Sequence, residues 1–222
     1  KFLLLAIPFF VLSGNIMAKA GISTRLIRFV DTCVGHRKGG IANVCIIVAC
    51  FFGAISGSGP ATVAALGAVL IPAMIERGGF SAAFSTALMA TSSSIAIVIP
   101  PSIAFVVYAS ITGVSIGDMF MAGIIPGILM GLALVVVVML EVRRNHVVPS
   151  NVEKASAKER WNAFKDAFWG FLMPVIILGG IYGGIFTPTE AAAVSVVYGL
   201  FVGMIIYKEV KFKDLWEILI DS

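Results

Sequence analysis

The sequence predicts an all-helical protein that crosses a membrane several times, and three observations support this prediction. The 222 residues are 59% hydrophobic and only 13% charged, and their mean hydropathy is +1.02. Soluble domains carry about 25% charged residues, so too few polar residues are present to cover a soluble core. The apolar residues fall in runs of helical length, with the basic residues in the loops between them. The composition excludes an ordinary soluble domain, a disordered chain and a nucleic-acid-binding module, and it makes the lipid bilayer the expected surroundings.

The first apolar run covers residues 2–18 and just reaches the length of about 20 residues that a helix needs to cross the hydrocarbon. Residues 19–38 are basic, and apolar side chains recur at helical spacing within 22–34. This pattern predicts a short amphipathic helix in the membrane interface. Lys1 enters the first run without an initiator Met or a cleavage site, and the last residues read as the middle of an amphipathic segment. We therefore expect the sequence to be a fragment of a longer chain.

Two apolar arms, residues 41–55 and 61–75, flank the sequence Ser-Gly-Ser-Gly-Pro at 56–60. Each arm has 15 residues, which is about 22 Å of helix and too short for a comfortable crossing of about 30 Å. Short arms that meet at such a turn predict a re-entrant hairpin, which reverses direction partway through the bilayer. The polar residues 76–79 then return the chain to the side that it left.

Residues 80–112 are too long for one straight crossing, and the sequence predicts two breaks within them, at residues 92–94 and at Pro100-Pro101. Proline lacks a backbone N–H and disfavours helical dihedral angles in the residue before it. We therefore predict a discontinuous helix, in which two half-helices are joined by an unwound stretch at 92–101.

The rest of the chain alternates between spans and polar segments. Residues 121–140 predict an ordinary span, and the polar exit at 141–166 contains a second interfacial helix marked by three aromatic residues at helical spacing. Residues 168–186 and 191–207 predict two further spans separated by a tight turn, and a third amphipathic helix follows near residue 215.

The distribution of basic residues sets the orientation. A hairpin and two full spans both return the chain to its starting side, so the assignment holds for either path. The loops on that side hold 15 of the 16 Lys and Arg residues and comprise 19–38, 76–79, 141–166 and 208–217. The opposite side has only Asp118 and Glu190, so we place the basic loops in the cytoplasm.

The two irregular segments are the predicted site of the chemistry. Unwound backbone at membrane depth is tolerated only where it faces protein or a water-filled cavity, and paired interrupted helices are typical of a transporter binding site. Broken helices expose carbonyl oxygens that bind a cation, and helix N-termini that favour a carboxylate. Serine hydroxyls add further oxygen ligands, and the segments contain no carboxylate. Such a ligand set suits Na⁺ better than a divalent or transition metal.

Several residues keep an alternative interpretation. Gly and Ser clusters in membrane helices can serve helix packing alone. Asn15 and Asn43 can form either a polar site or interhelical hydrogen bonds. Glu190 can cap a helix rather than carry a proton. His36 and His146 stand alone in charged loops, and three unevenly spaced cysteines are expected to be apolar fillers. No base accompanies the serine of the Gly-Ser-Gly sequence at 57–59, so we predict that the chain is not an enzyme.

Three long motifs, in this order, carry a family resemblance: FGAISGSGPATVAALGAVLIPAM, ATSSSIAIVIPPSIAFVVYAS and GGIYGGIFTPTEAAAVSVVYGL, with AIPFFVLSGNIM near the start. Together they resemble the large membrane subunit of TRAP transporters (tripartite ATP-independent periplasmic, DctM-like) along essentially the whole sequence. The resemblance implies a permease of the bacterial inner membrane that works with a small membrane subunit, sometimes fused to it, and with a periplasmic substrate-binding protein. It further implies import of carboxylates, such as C4-dicarboxylates or sialic acid, driven by a sodium gradient.

The resemblance also implies a fold of two inverted repeats in which hairpins and discontinuous helices move as an elevator against scaffold helices. In those terms, residues 1–39 are a scaffold helix and an arm helix, 40–79 the first hairpin, 80–120 its discontinuous helix, 121–166 a span with a cytoplasmic loop, and 167–222 the start of the second repeat. The first scaffold helices and most of the second repeat have no counterpart in the sequence, so half of the transport site is missing from it.

Carried over to this sequence, the resemblance assigns two sets of site residues. The implied sodium ligands are Ser56, Gly57, Ser58, Ser92, Ser93, Ser94 and Pro100. The implied substrate-binding residues are Gly59, Pro60, Thr62 and Pro101. Sodium is the only cofactor expected, and no other metal is implied.

Two rival functions stay open at this stage. The first is an elevator carrier for sodium and dicarboxylate that needs no binding protein. The second is a membrane scaffold that does not transport, in which the Gly and Ser residues only pack helices. Sequence alone does not name the carboxylate.

Overall fold

A computed structural model describes residues 3–145, 154–220 and 222. Within these ranges the chain is helical and contains no strand. The α-helices are α1 (Ala6–Lys19), α2 (Ile22–Val34), α3 (Gly40–Ser56), α4 (Gly59–Glu76), α5 (Ala82–Ser94), α6 (Ile103–Thr112), α7 (Ile116–Arg144), α8 (Ala157–Tyr182), α9 (Pro188–Leu200) and α10 (Asp214–Ile220). Short 3-10 turns at Leu3–Leu5 and Ile95–Ile97 precede α1 and follow α5, and a π-helical segment, Phe201–Ile206, extends α9.

Four helices of the described residues are long and apolar enough to cross a membrane. They are Gly59–Glu76, Ile116–Arg144, Ala157–Tyr182 and Pro188–Ile206. α1 and α2 pass the same test only as a pair bent by 66°, which gives up to five spans. The all-helical, multiply spanning architecture is therefore confirmed, and the re-entrant path and the internal repeats stay predictions.

α3 lies at the centre of the packing and contacts α1, α2, α4, α5, α7 and α8. Its inward side chains are apolar and fully buried, as Phe52 illustrates at 1% exposure. α7, in contrast, leaves much of its apolar surface open, with Ile125 exposed to 69%. An apolar helix face of this kind is stable in contact with lipid or with another apolar helix, and it would be costly in water.

The amphipathic helix predicted at 22–34 is present as α2, with the predicted bounds. Ile22, Leu26 and Val30 form its buried face, and α2 packs on α3 and α8 through it. Gly21 precedes α2 with φ of +70°, a left-handed conformation that a residue with a side chain adopts only at a cost. This glycine allows the chain to bend sharply between α1 and α2.

Arg25 holds the corner between α1 and α2 together. Its guanidinium donates to the carbonyl oxygens of Ala20 and Gly21, each at 3.0 Å, and forms an ion pair with Glu209. The same group lies 3.9 Å from the centroid of the Tyr207 ring, an arrangement that favours the cation. The Tyr207 hydroxyl in turn donates to the backbone carbonyl oxygen of Asp166. Arg25 therefore connects the corner to the segment after α9, and Tyr207 extends the connection to α8.

The predicted hairpin arms correspond to α3 and α4, which pack against each other. The turn between them is tighter than predicted, because only Gly57 and Ser58 lie outside the helices. Ser58 is the N-cap of α4 and accepts a hydrogen bond from the backbone N–H of Ala61, while Pro60 occupies the first turn. Both positions match the ordinary preferences for a helix start.

The predicted break at 92–94 is wrong. These serines form the last turn of α5, and the hydroxyls of Ser93 and Ser94 donate to the carbonyl oxygens of Ala90 and Thr91 at 2.7 and 2.6 Å. Serines that bond to carbonyls three residues earlier fit inside a helix, so a run of serines does not by itself unwind one.

The predicted break at the prolines is confirmed. The chain leaves helical structure after Ile97, passes through a cis Pro100-Pro101 peptide bond, and becomes helical again at Ile103. The prolines supply no N–H to continue the helix, and Ser102 caps the new one.

Two predicted boundaries, after residues 120 and 166, fall inside helices. α7 begins at Ile116 with Ser115 as its N-cap, five residues before the predicted span. α8 begins at a capping box of Ser156 and Glu159 and runs without interruption to Tyr182, so it joins the predicted interfacial helix to the span that follows. The prediction followed apolar runs alone and missed the serine N-caps with which both helices begin. Residues 146–153 of the predicted exit, with His146, lie outside the described residues.

Candidate functional site

The two irregular segments of the fold lie directly against each other. We call residues 56–60, where α3 ends and α4 begins, the tip, and residues 98–102, between the 3-10 turn after α5 and the start of α6, the break. The backbone N–H of Ile103 donates to the carbonyl oxygen of Gly57 at 3.3 Å. This hydrogen bond joins the start of α6 to the tip, so the two segments form one junction.

Glycine at the tip permits a very close approach of carbonyl oxygens. Gly57 has φ of +62°, and a Cβ atom placed on it would lie 2.7 Å from the carbonyl oxygen of Pro101. A Cβ atom on Gly59 would lie 3.2 Å from the carbonyl oxygen of Ser93. The break and the end of α5 each therefore place one carbonyl oxygen against the glycine backbone of the tip.

Four helix ends also meet at the junction. α3 ends at Ser56 and the 3-10 turn after α5 ends at Ile97, whereas α4 begins at Gly59 and α6 begins at Ile103. Helix C-termini carry partial negative charge and favour a cation, and helix N-termini carry partial positive charge and favour an anion. The junction can therefore stabilise ions of both signs without a charged side chain.

The hydroxyl groups of Ser56 in the tip and of Thr62 in the first turns of α4 are used internally. Thr62 donates to the carbonyl oxygen of Ser58 at 2.8 Å, and the Ser56 and Thr62 hydroxyl oxygens lie 3.2 Å apart. Ser56 and Thr62 are 1% and 0% exposed. The Ser58 hydroxyl is different, because it is half-buried and its one hydrogen bond, from Ala61, is long at 3.4 Å. Of the two hydroxyl groups in the tip, it is the one better able to bind an ion or a substrate.

The remaining predicted site residues divide into two groups. Pro100 and Pro101 are buried in the break, and Pro60 is exposed in the first turn of α4. Ser92 is buried beside Cys45, and Cys45 lies on α3 eleven residues before the tip. The Ser92 hydroxyl forms no hydrogen bond with the described residues. The structure thus brings residues 56–60 together with Pro101 and with the carbonyl oxygen of Ser93, but it places the Ser92 hydroxyl elsewhere.

Two residues at the junction were missed by the sequence interpretation. Ser102 is fully buried, donates to the carbonyl oxygen of Ile97 and accepts from the N–H of Phe105 at 3.3 Å, so it closes the break and caps α6. A serine between two prolines and an apolar run is a recognisable helix-start signal. Gly14 of α1 lies against the tip, because a Cβ atom on it would approach the Ser56 Cα atom to 3.0 Å. No sequence signal distinguishes Gly14 from other glycines.

The structure shows the surroundings of Asn15, Glu190 and Asn43, for which the sequence left two interpretations. Asn15 donates to the Ser222 hydroxyl at 2.9 Å, so it connects α1 to the C-terminal segment. Glu190 accepts from the backbone N–H of Thr187 at 2.8 Å and completes a capping box at the start of α9, as the capping interpretation requires. The Asn43 side-chain oxygen is buried and forms no hydrogen bond with the described residues.

The polar groups at the junction determine which chemistry it can support. Its polar groups are backbone carbonyls, backbone N–H groups and hydroxyls, and no group of three His, Cys, Asp or Glu residues occurs among the described residues. Hard, uncharged oxygens bind a monovalent cation without neutralising it. They supply no acid or base for covalent chemistry.

Comparison with known proteins places the chain in a family. All of residues 1–222 match the family model described as "Tripartite ATP-independent periplasmic transporter, DctM component". The chain is 45% identical to the C4-dicarboxylate TRAP transporter large permease protein DctM of Pseudomonas aeruginosa, over 99% of this chain and 51% of that protein. It is 41% identical to the 2,3-diketo-L-gulonate TRAP transporter large permease protein YiaN of Escherichia coli, over 100% of this chain and 52% of that protein.

A third relative is covered over a smaller share of its length. The isethionate TRAP transporter permease protein DctMQ of Oleidesulfovibrio alaskensis is 43% identical over 100% of this chain and 35% of that protein. The chain spans about half the length of the first two relatives. Its apolar helices and these relatives together show a multi-pass bacterial membrane protein, and the chain belongs to the DctM family, the large permease component of tripartite ATP-independent periplasmic transporters.

Proposed function

We propose that this chain is part of a sodium-coupled permease that imports small carboxylates across the bacterial inner membrane by an elevator movement. The observation that carries the proposal is the junction of the tip and the break, where four helix ends and uncharged oxygens converge. Relatives whose names include C4-dicarboxylate and 2,3-diketo-L-gulonate support a small organic anion as the substrate. The proposed cargo is therefore an anion accompanied by sodium.

The proposed sodium site uses the carbonyl oxygens of Ser93 and Pro101 and the hydroxyl of Ser58. The close approach at Gly57 and Gly59 brings the two carbonyl oxygens to the tip, and the Ser58 hydroxyl belongs to the tip itself. The N-termini of α4 and α6 are the proposed contacts for the substrate carboxylate, because their N–H groups and dipoles favour negative charge. The remaining ligands would come from the part of the transporter outside this chain.

In this proposal α3 and α4 form a re-entrant hairpin that moves with α5 and α6, while α1, α8 and α9 belong to the scaffold. The basic loops lie in the cytoplasm. A small membrane subunit and a periplasmic substrate-binding protein complete the transporter, as expected for the family.

Uptake by the complete transporter in proteoliposomes tests the proposed function. With the binding protein and a labelled C4-dicarboxylate present, uptake should require an inward sodium gradient and should stop when choline replaces sodium. Uptake that is unchanged without sodium would refute sodium coupling. Uptake that needs no binding protein would favour the rival carrier, and the absence of both sodium- and substrate-dependent thermal shifts would favour a scaffold without transport.

Replacing Ser58 with alanine tests the ion site. The change removes one hydroxyl ligand and a weak helix cap, so we expect the sodium concentration for half-maximal uptake to rise about three- to tenfold. Expression should stay intact, since the lost hydrogen bond is long.

Ser110→Ala is the matched control for the Ser58 variant. Ser110 lies near the other end of α6, and its hydroxyl donates to the Val107 carbonyl within the same helix. We expect this variant to keep the wild-type sodium dependence. An unchanged sodium dependence in Ser58→Ala would remove Ser58 from the site.

A further inference from the structure

Thr62 is a fully buried polar residue one turn into α4, and it occupies the space beneath the tip. Its hydroxyl donates to the carbonyl oxygen of Ser58 at 2.8 Å. The same hydroxyl lies 3.2 Å from the Ser56 hydroxyl, which is also 3.4 Å from the backbone nitrogen of Ser58. Thr62 thus bonds to the last residue of α3 and to the residue that caps α4.

The Thr62 side chain is fully enclosed by the described residues. At 0% exposure its side chain is not accessible to solvent. Both hydrogen-bonding directions of its hydroxyl are already used within the tip: it donates to one tip residue and contacts the hydroxyl of another. The substrate-binding role that the resemblance implied for Thr62 therefore does not fit its surroundings, and a structural role within the site does.

The position of Thr62 determines what it controls. The tip has only two residues outside the helices, and Gly57 among them is in the left-handed conformation with a carbonyl that accepts from Ile103. A turn this short has few ways to relax. The Thr62 hydroxyl fixes Ser58 on one side of Gly57 and Ser56 on the other, so it sets the direction of the Gly57 carbonyl and of the Ser58 hydroxyl.

We propose that Thr62 is a positioning residue, whose hydroxyl holds the tip in the conformation that presents the Ser58 hydroxyl to the ion beside the carbonyl oxygens of Ser93 and Pro101. The proposal rests on the sodium-coupled function proposed above. It differs from a ligand role, because Thr62 acts through its neighbours and does not touch the ion. It also differs from plain packing, because the hydroxyl and not the volume of the side chain carries the effect.

Three substitutions separate these roles in the complete transporter. Thr62→Val keeps the shape and removes the hydroxyl, and Thr62→Ser keeps the hydroxyl and removes a methyl group. Thr86→Val is the control, since Thr86 makes the same kind of bond to the carbonyl four residues earlier, at 2.9 Å, but is exposed on α5. The measurements are the sodium concentration for half-maximal uptake, the maximal uptake rate and the thermal unfolding midpoint without sodium.

We expect Thr62→Val to raise the sodium concentration for half-maximal uptake about tenfold, with a smaller change in maximal rate. Thr62→Ser should stay within about threefold of the wild type, and Thr86→Val should match it. A wild-type sodium dependence in Thr62→Val, or equal impairment in the Val and Ser variants, would overturn the proposal. If Thr62→Val does not fold, Thr62→Cys takes its place with the same criteria.

The sodium dependence of uptake by the wild-type transporter tests the proposed function separately from the role of Thr62. If its uptake does not depend on sodium, the proposed function fails regardless of the variants. If its uptake depends on sodium and the hydroxyl-free variant behaves identically, only the role of Thr62 fails.

Discussion

Replacing Gly57 with alanine should reduce sodium-driven uptake by roughly tenfold or more. The residue has φ of +62°, and a left-handed conformation costs an L-residue about 1–2 kcal/mol. The new Cβ atom would lie 2.7 Å from the carbonyl oxygen of Pro101, which belongs to the backbone and has no side-chain freedom with which to move away. The tip and the break must therefore move apart, which takes the carbonyl oxygen of Pro101 away from the tip. Uptake in proteoliposomes at several sodium concentrations measures the loss.

Gly113→Ala is the control that separates backbone strain from the contact with Pro101. Gly113 has φ of +75°, close to that of Gly57, but a Cβ atom on it would meet nothing within 4 Å. We expect this variant to lose stability by about 1 kcal/mol and to transport nearly as well as the wild type. Equal losses of uptake in the two variants would show that the junction has no special role.

Replacing Arg25 with glutamine should lower the free energy of unfolding by about 2–3 kcal/mol. The guanidinium is largely enclosed, and glutamine cannot replace its hydrogen bonds to the Ala20 and Gly21 carbonyls, the ion pair with Glu209 or the contact with the Tyr207 ring. Hydrogen bonds to charged groups contribute about 1.5–3 kcal/mol each, and a cation over an aromatic ring contributes about 0.5–1 kcal/mol, with partial compensation by water. Equilibrium unfolding of the purified transporter in detergent gives the value.

Arg28→Gln provides the comparison on the same helix. The ion pair of Arg28 with Asp166 is 3.4 Å long, and the two side chains are 67% and 50% exposed. Exposed pairs contribute about 0–1 kcal/mol, so this variant should lose less than about 1 kcal/mol. If Arg28→Gln destabilises the protein as much as Arg25→Gln, the corner between α1 and α2 is not held specifically by Arg25.

The elements whose positions were predicted correctly are those that are marked by two or more residue features pointing to the same position. α2 has an apolar face with helical spacing and basic residues on both sides, and the structure places it at the predicted residues. The tip was found because Gly and Pro interrupt an apolar run, and the break because two prolines adjoin. α8 was divided wrongly, since its first turns are polar and only the capping box of Ser156 and Glu159 marks the start of the helix.

The site was less predictable than the fold, because it depends on which segments meet. Sequence patterns showed that residues 56–60 and 100–101 are irregular, but not that Gly57 lies against Pro101. Ser56 and Ser58 have the same side chain in the same motif, yet one hydroxyl is enclosed by Thr62 and the other caps a helix at the surface of the tip. This difference depends on the residues at which α3 ends and α4 begins, which the sequence pattern did not predict exactly.

The uncharged character of the junction has a consequence for proton linkage. None of the side chains at residues 56–62 or 93–103 changes its protonation between pH 5 and 9, since they are Ser, Thr, Gly, Pro, Ala, Ile and Val. These side chains would therefore neither release nor take up protons if an ion bound at the junction as proposed. Any change of uptake with pH in that range must come from the substrate, from its binding protein or from residues elsewhere in the transporter. If the proposed sodium site is correct, these residues would stay available to sodium as the external acidity changes.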